Sequence, residues 1–187
     1  MPVKTRDRPT LATITDNERE HLETCIHEAG HAVAAVALGA RLWNSVAVNS
    51  RWAGVQGRTE YEEDMPPGAH VQAAYAGPYA QARFAAGGRR PTQRELFALW
   101  EGHGRLDCRM LTAAGGTHLG AAVVPLLERC WPAVVRTAQA LYERGEVLHD
   151  DVCKALGITD GGGPTSVQLA SLRTGWGREV PPLEVPA

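Results

Sequence analysis

No apolar run in this chain approaches the roughly 20 residues needed to cross a bilayer. The longest, from Ala32 to Ala40, is short and rich in alanine, so no membrane insertion is expected. The opening residues, MPVKTRDRPTLATITD, place no apolar core behind their basic side chains and offer no small-residue cleavage site. No secretory leader is expected there, and the expected compartment is the cytoplasm. The four cysteines, Cys25, Cys108, Cys130 and Cys153, form no CxxC pair, which fits neither a cysteine-built zinc module nor a disulfide framework. They are read as reduced thiols. Positive charge is not in excess either: Lys and Arg number 19 against 21 Asp and Glu, and the net charge of -2 argues against a nucleic-acid partner. The nearest thing to a basic cluster, Arg89-Arg90, lies in a Gly/Pro-rich turn. No internal repeat of 20 to 50 residues is visible.

What remains is an ordinary globular composition, with 44% hydrophobic and 21% charged residues in 187 positions, enough for one domain. Residues 1–14 read as a flexible polar arm. Thr15 and Glu18 then form a capping box, and Leu22, Ile26, Ala29, Val33 and Val36 trace an apolar stripe at helical spacing. With Gly39 as terminator, an amphipathic helix is expected from about Asp16 to Leu38. Two or three short strands should follow, around Ser45 to Asn49 and Gly57 to Tyr61. The segment HVQAAYAGPYAQARFAAG reads as a helix in which Gly77-Pro78 marks a kink or a tight contact. A third helix is expected from Gln93 to Trp100 and a short one after Gly104. Two long helices and a short one are expected between Leu119 and Leu156, with Pro125 and Pro132 near a first turn or a kink. Residues 158–187 read as a Gly/Pro-rich linker and a tail, with a short helix near Val167 to Arg173. The fold class expected is α+β, mainly helical, with a small two- to three-stranded sheet and a C-terminal helical bundle.

The chemistry sits in CIHEAGHAVAAVALGA, Cys25 to Ala40. Positions i and i+4 of a helix lie on one face, so His27 and His31 can direct a ring nitrogen at one point, as two ligands of a zinc ion do. Glu28 is about 100° round the helix from the first ligand, placed to accept a proton from a metal-activated water without being a ligand itself. The histidines flank the apolar stripe, which puts them at the edge of a cleft. Gly30 costs a helix interior roughly 1 kcal/mol relative to alanine, so something is expected to approach the backbone there. A catalytic zinc normally takes three protein ligands. Asp64, His70, His103, Asp107, His118 and His149 are candidates for the third. Asp107 stands out because it follows a glycine-bracketed turn and opens a helix; the same position suits a simple first-turn acid.

HEAGHAV at His27 to Val33 resembles the HEAGHA motif of the FtsH family, the membrane-anchored ATP-dependent zinc proteases. SVAVNSRWAGVQGRTEY resembles that family's strand pair, with Gly57 followed by the hydroxyl residue Thr59. AYAGPYAQARF resembles its helix with a Gly-Gly-Arg-Ala-Ala-Glu core, GHGRLDCRML its loop and helix start bearing the aspartate ligand, and AVVRTAQALYERGEVLHDDVCKAL its closing helices. The resemblance covers residues 15–157 and implies a zincin-like domain that binds Zn2+ through His27, His31 and Asp107, with Glu28 as general base. Three features depart from the family. The ATPase module and membrane anchor have no counterpart, Pro78-Tyr79 and Gln81 replace Arg-Ala and Glu, and GHGRL replaces a Thr/Gly/Ser/Asn-rich run, which makes His103 the alternative third ligand.

The expected activity is hydrolysis of peptides or unfolded segments by a zinc endopeptidase without its own ATPase, served by an ATPase or adaptor in trans. The strand near Gly57 to Tyr61 would hold an extended substrate by edge pairing, as the resemblance implies. A peptide deformylase would need an upstream cysteine ligand, and Cys25 faces elsewhere on the helix. The alternative from another class is a non-catalytic, zinc-containing module that binds peptides or proteins.

Overall fold

The computed structural model describes residues 14–62, 65–102, 104–176 and 179–183. Most of the arm expected over residues 1–14, and the candidates Asp64 and His103, lie outside them.

The first helix, α1, spans Asp16–Leu38 and starts where local chemistry says it should. The Thr15 hydroxyl accepts the Glu18 N–H at 3.2 Å, and Glu18 accepts the Thr15 N–H at 2.8 Å. Gly39 closes it in the left-handed region at φ 101°, a conformation that costs a side chain but not glycine. The expected amphipathic stripe describes only its first turns. From Cys25 to Ala37 every residue except His27 is buried. The reason is tertiary: α1 is the central rod of the fold, and its alanines let neighbours approach on all sides.

Strand β1 (Leu42–Ser50) follows and pairs antiparallel with β2 (Gly54–Tyr61), both longer than expected. The third strand, β3 (Glu146–Val147), pairs with Ser45 and Val46 and comes from 100 residues downstream, so β1 is central and β2 is an edge. Helix α2 (Ala69–Ala85) carries Pro78 in its interior and makes the most extensive contact with α1. A Cβ on Gly30 would stand 2.7 Å from the Ala76 carbonyl oxygen and from the Ala80 Cβ, so the neighbour that approaches the motif's backbone is α2. Helices α3 (Gln93–Glu101) and α4 (Arg105–Ala113) follow.

The segment expected to hold two long helices is more broken. Two 3-10 turns, Thr117–Leu119 and Ala121–Val123, precede a short α5 (Val124–Arg129) and the single long helix α6 (Trp131–Arg144). Pro125 and Pro132 each sit in a first turn, where the missing N–H has no partner to lose. They therefore start two helices. After β3 come α7 (His149–Leu156) and α8 (Val167–Thr174).

Residues 158–176 and 179–183 do more than link and trail. Ile158, Leu169, Leu172 and Val180 join the main core, and the Arg173 guanidinium donates to the Ala37 carbonyl at 3.2 Å beside the end of α1. Composition hid this, because a few leucines among glycines and prolines suffice to cover a helix end. Leu172→Ala is expected to lower the unfolding free energy by about 2–5 kcal/mol, as for other fully buried leucines. Urea unfolding measures it, and an unchanged midpoint would mean that the segment stands off the core.

Candidate metal centre

His27 and His31 project from the same face of α1, one turn apart, and Asp107 meets them from the first turn of α4. The three side chains are the one group of potential metal-ligating residues found among the described residues. His27 Nε2 lies 3.0 Å from His31 Nε2 and 3.1 Å from Asp107 Oδ2, and His31 Nε2 lies 3.4 Å from Asp107 Oδ1. Ligands placed tetrahedrally at about 2.0–2.1 Å from zinc stand roughly 3.3–3.4 Å apart, close to this spacing.

The outer ring nitrogens give the stronger test. His31 Nδ1 donates to the Ala73 carbonyl at 2.8 Å, a partner that can only accept. His27 Nδ1 lies 3.0 Å from Gln81 Oε1 and donates to it. A neutral imidazole that donates from Nδ1 keeps a lone pair on Nε2. With both rings neutral, two imidazole lone pairs and two carboxylate oxygens converge with no donor between them, in a site where His31 is 7% exposed, and a proton on His31 or a bound cation supplies the missing positive charge. Burial alone favours neutral His31, but the Asp107 carboxylate, aided by Glu28, outweighs it and pushes the imidazole up to about 9. Burial also opposes the Asp107 charge, yet His31 and His27 hold that carboxyl well below the usual carboxylate range. The donor set suits a divalent ion of the zinc type, without selecting zinc over its neighbours.

Glu28 is 7% exposed and outside the cluster. Thr59 on β2 donates its hydroxyl to Glu28 Oε2 at 2.6 Å, and the buried Ser45 hydroxyl, 2.8 Å from Thr59 Oγ1, supplies the hydrogen bond that Thr59 accepts. Strand β2 passes so close that a Cβ on Gly57 would sit 2.5 Å from Glu28 Oε1. Across α1, a Cβ on Gly77 would sit 2.3 Å from His31 Nε2. Each glycine thus clears space for one functional side chain. A cleft of about 430 Å³ opens over the cluster, and its lining includes Val55, Gly57, Thr59 and Tyr61 of β2 and Leu106 and Met110 of α4. Burial, with Glu28 and Asp107 nearby, holds the Tyr61 phenol well above its ordinary range and keeps it neutral.

No family model matches the chain, and no curated protein matches it significantly.

Of the other candidate ligands, His70 is exposed at the cleft margin and His118 is exposed in a 3-10 turn, both outside the cluster. His149 is buried elsewhere: its Nδ1 accepts the Leu42 N–H at 3.2 Å and its Nε2 donates to the Gly161 carbonyl at 3.1 Å. It clips β1 to the loop after α7. All four cysteines are free, and burial, with Glu28 beside it, pushes the Cys25 thiol up to about 12. Sequence reasoning passed over the hydrogen-bonding roles of Gln81, Ser45 and the Ala73 carbonyl. Gly77 carried a signal, since a glycine beside a helical proline marks a tight contact, and here the contact is with a ligand ring.

Proposed function

We propose that this chain is a zinc-dependent endopeptidase with a zincin-like fold, resembling the protease domain of the FtsH family. The observation that carries the reading is the convergence of His27, His31 and Asp107 beside the buried carboxylate of Glu28. His27, His31 and Asp107 would hold the ion. Zinc, when bound, supplies Lewis acidity towards a scissile carbonyl and lowers the pKa of water from 15.7 towards about 7.

The remaining chemistry belongs to the chain. Glu28 Oε2 is held by Thr59, and Glu28 lines the cleft. Glu28 is thus positioned to take a proton from the attacking water and to return it to the leaving amine. The outer edge of β2 borders the same cleft and offers backbone groups for pairing with an extended peptide. Substrates of this shape are peptides, flexible segments or chains unfolded by an ATPase or adaptor in trans.

The test is metal analysis combined with digestion of a peptide library. The protein is expected to hold one zinc per chain, to lose cleavage on chelation and to regain it on zinc addition. Asp107→Ala is expected to weaken zinc binding by at least about tenfold, since one of three ligands is gone. Full affinity in that variant would show that another residue completes the site. Stoichiometric zinc with no cleavage by the wild type would leave the alternative of a non-catalytic peptide- or protein-binding module.

A further inference from the structure

Gln81 is 4% exposed on α2, one turn after Gly77, the residue that faces the His31 ring. A buried amide needs partners for both its ends. Its Oε1 is 3.0 Å from His27 Nδ1, and its Nε2 is 3.5 Å from Glu23 Oε2. Glu23 stands on α1 one turn before His27, at the margin of the cleft, so Glu23, His27 and His31 follow one another at i, i+4 and i+8.

The two histidines are held by different means. His31 is turned by a backbone carbonyl, which has no alternative to accepting. His27 is turned by a side-chain amide, which could present either its oxygen or its NH2. Were the NH2 presented, His27 Nδ1 would have to accept, and the proton of the neutral ring would move to Nε2 and block the ligand atom. Glu23 removes that choice, because a carboxylate only accepts. It draws the NH2 of Gln81 to itself and leaves Oε1 facing His27.

We propose that Glu23 and Gln81 are positioning residues that lock His27 in the tautomer competent to bind metal, with the rim carboxylate selecting the orientation of the buried amide. The proposal rests on the metal-centre reading, and its consequence is specific. A chain with a carboxylate at position 81 would hold His27 without help, whereas this chain needs the Glu23–Gln81 pair.

The experiment is zinc titration of the full chain against a competing chelator, with no substrate involved. Gln81→Met, which keeps the volume and removes the amide, is expected to bind zinc about 10–100-fold more weakly, as loss of such a supporting partner typically does. The exchanged pair, Glu23→Gln with Gln81→Glu, restores an acceptor facing His27 Nδ1 and is expected to recover affinity to within about threefold. A residue that merely fills space would not show that recovery. Glu23→Met alters only the part-exposed margin and keeps the test open if Gln81→Met fails to fold; weakening of zinc binding by about threefold or more is expected. Wild-type affinity in Gln81→Met or in Glu23→Met would overturn the proposal, as would an exchanged pair no better than Gln81→Met. Failure of the wild type to take up zinc would sink the metal-centre reading and this proposal together, whereas variants that bind like the wild type sink this proposal alone.

Discussion

A Glu28→Gln protein is expected to bind zinc as the wild type does and to cleave peptides about 10²–10⁴-fold more slowly, the usual contribution of a positioned general base. The two side chains are nearly isosteric, and the glutamine oxygen can still accept the Thr59 hydroxyl that now reaches Glu28 Oε2 at 2.6 Å. What disappears is the carboxylate's capacity to take a proton. Because Glu28 lies outside the cluster of His27, His31 and Asp107, metal content should not move. Measuring zinc stoichiometry and turnover on the same preparation separates the two effects. Cleavage at the wild-type rate would remove Glu28 from the chemistry, and loss of zinc would make it a ligand.

Gly77→Ala is expected to destabilise the protein and to weaken the metal site together. In an ordinary helix interior, alanine stabilises by about 0.5–1 kcal/mol relative to glycine. Here the added Cβ would stand 2.3, 2.4 and 2.7 Å from His31 Nε2, Cε1 and Cδ2. The ring cannot retreat without giving up its 2.8 Å hydrogen bond to the Ala73 carbonyl, and α2 cannot withdraw without opening its extensive packing against α1. Overpacking of this kind costs about 1–3 kcal/mol, so the sign of the change is opposite to the helix-propensity expectation. Zinc affinity should fall with it, by at least about tenfold, since the displaced group is a ligand. Thermal melts of the chelated protein and competition with a chromophoric chelator would measure the two losses. Stabilisation by the substitution would show that the contact between α2 and His31 is looser than the structure makes it.

Gly77 marks the boundary between what the chain spells out locally and what it leaves to packing. Its neighbour Pro78 announced a kink or a tight contact, but nothing in the sequence said that a histidine from α1 would be the other party. The same holds for Gly30, whose cost in a helix interior implied a close neighbour without naming α2. Asp107 was one of several possible third ligands by spacing alone; its place after a glycine-bracketed turn at a helix start made it stand out, and the resemblance favoured it further. Its approach to His27 depends on how α2, α3 and α4 stack, which is a matter of contacts between elements far apart in the chain. Strand β3 shows the limit most clearly. Two residues, Glu146 and Val147, carry no strand signal of their own and become a strand because β1 presents an unpaired edge at Ser45 and Val46.

By itself the sequence determined the extent of α1, through the Thr15–Glu18 box and Gly39, and the placing of His27 and His31 on one helical face with Glu28 beside them. These features are local, decided by hydrogen bonds and steric limits that act within a turn or two of the chain. The tertiary structure alone decided that α1 is enclosed from Cys25 to Ala37 apart from His27, that Ile158, Leu169, Leu172 and Val180 join the core, that Asp107 completes the cluster, and that Thr59 and Gln81 hold Glu28 and His27. Each of these joins groups from 31 to 80 residues apart or more, as the Thr59–Glu28 and Asp107–His27 hydrogen bonds do. Contacts at that range leave no periodicity in the sequence, because they are selected by the packing of whole elements rather than by the conformation of any one of them.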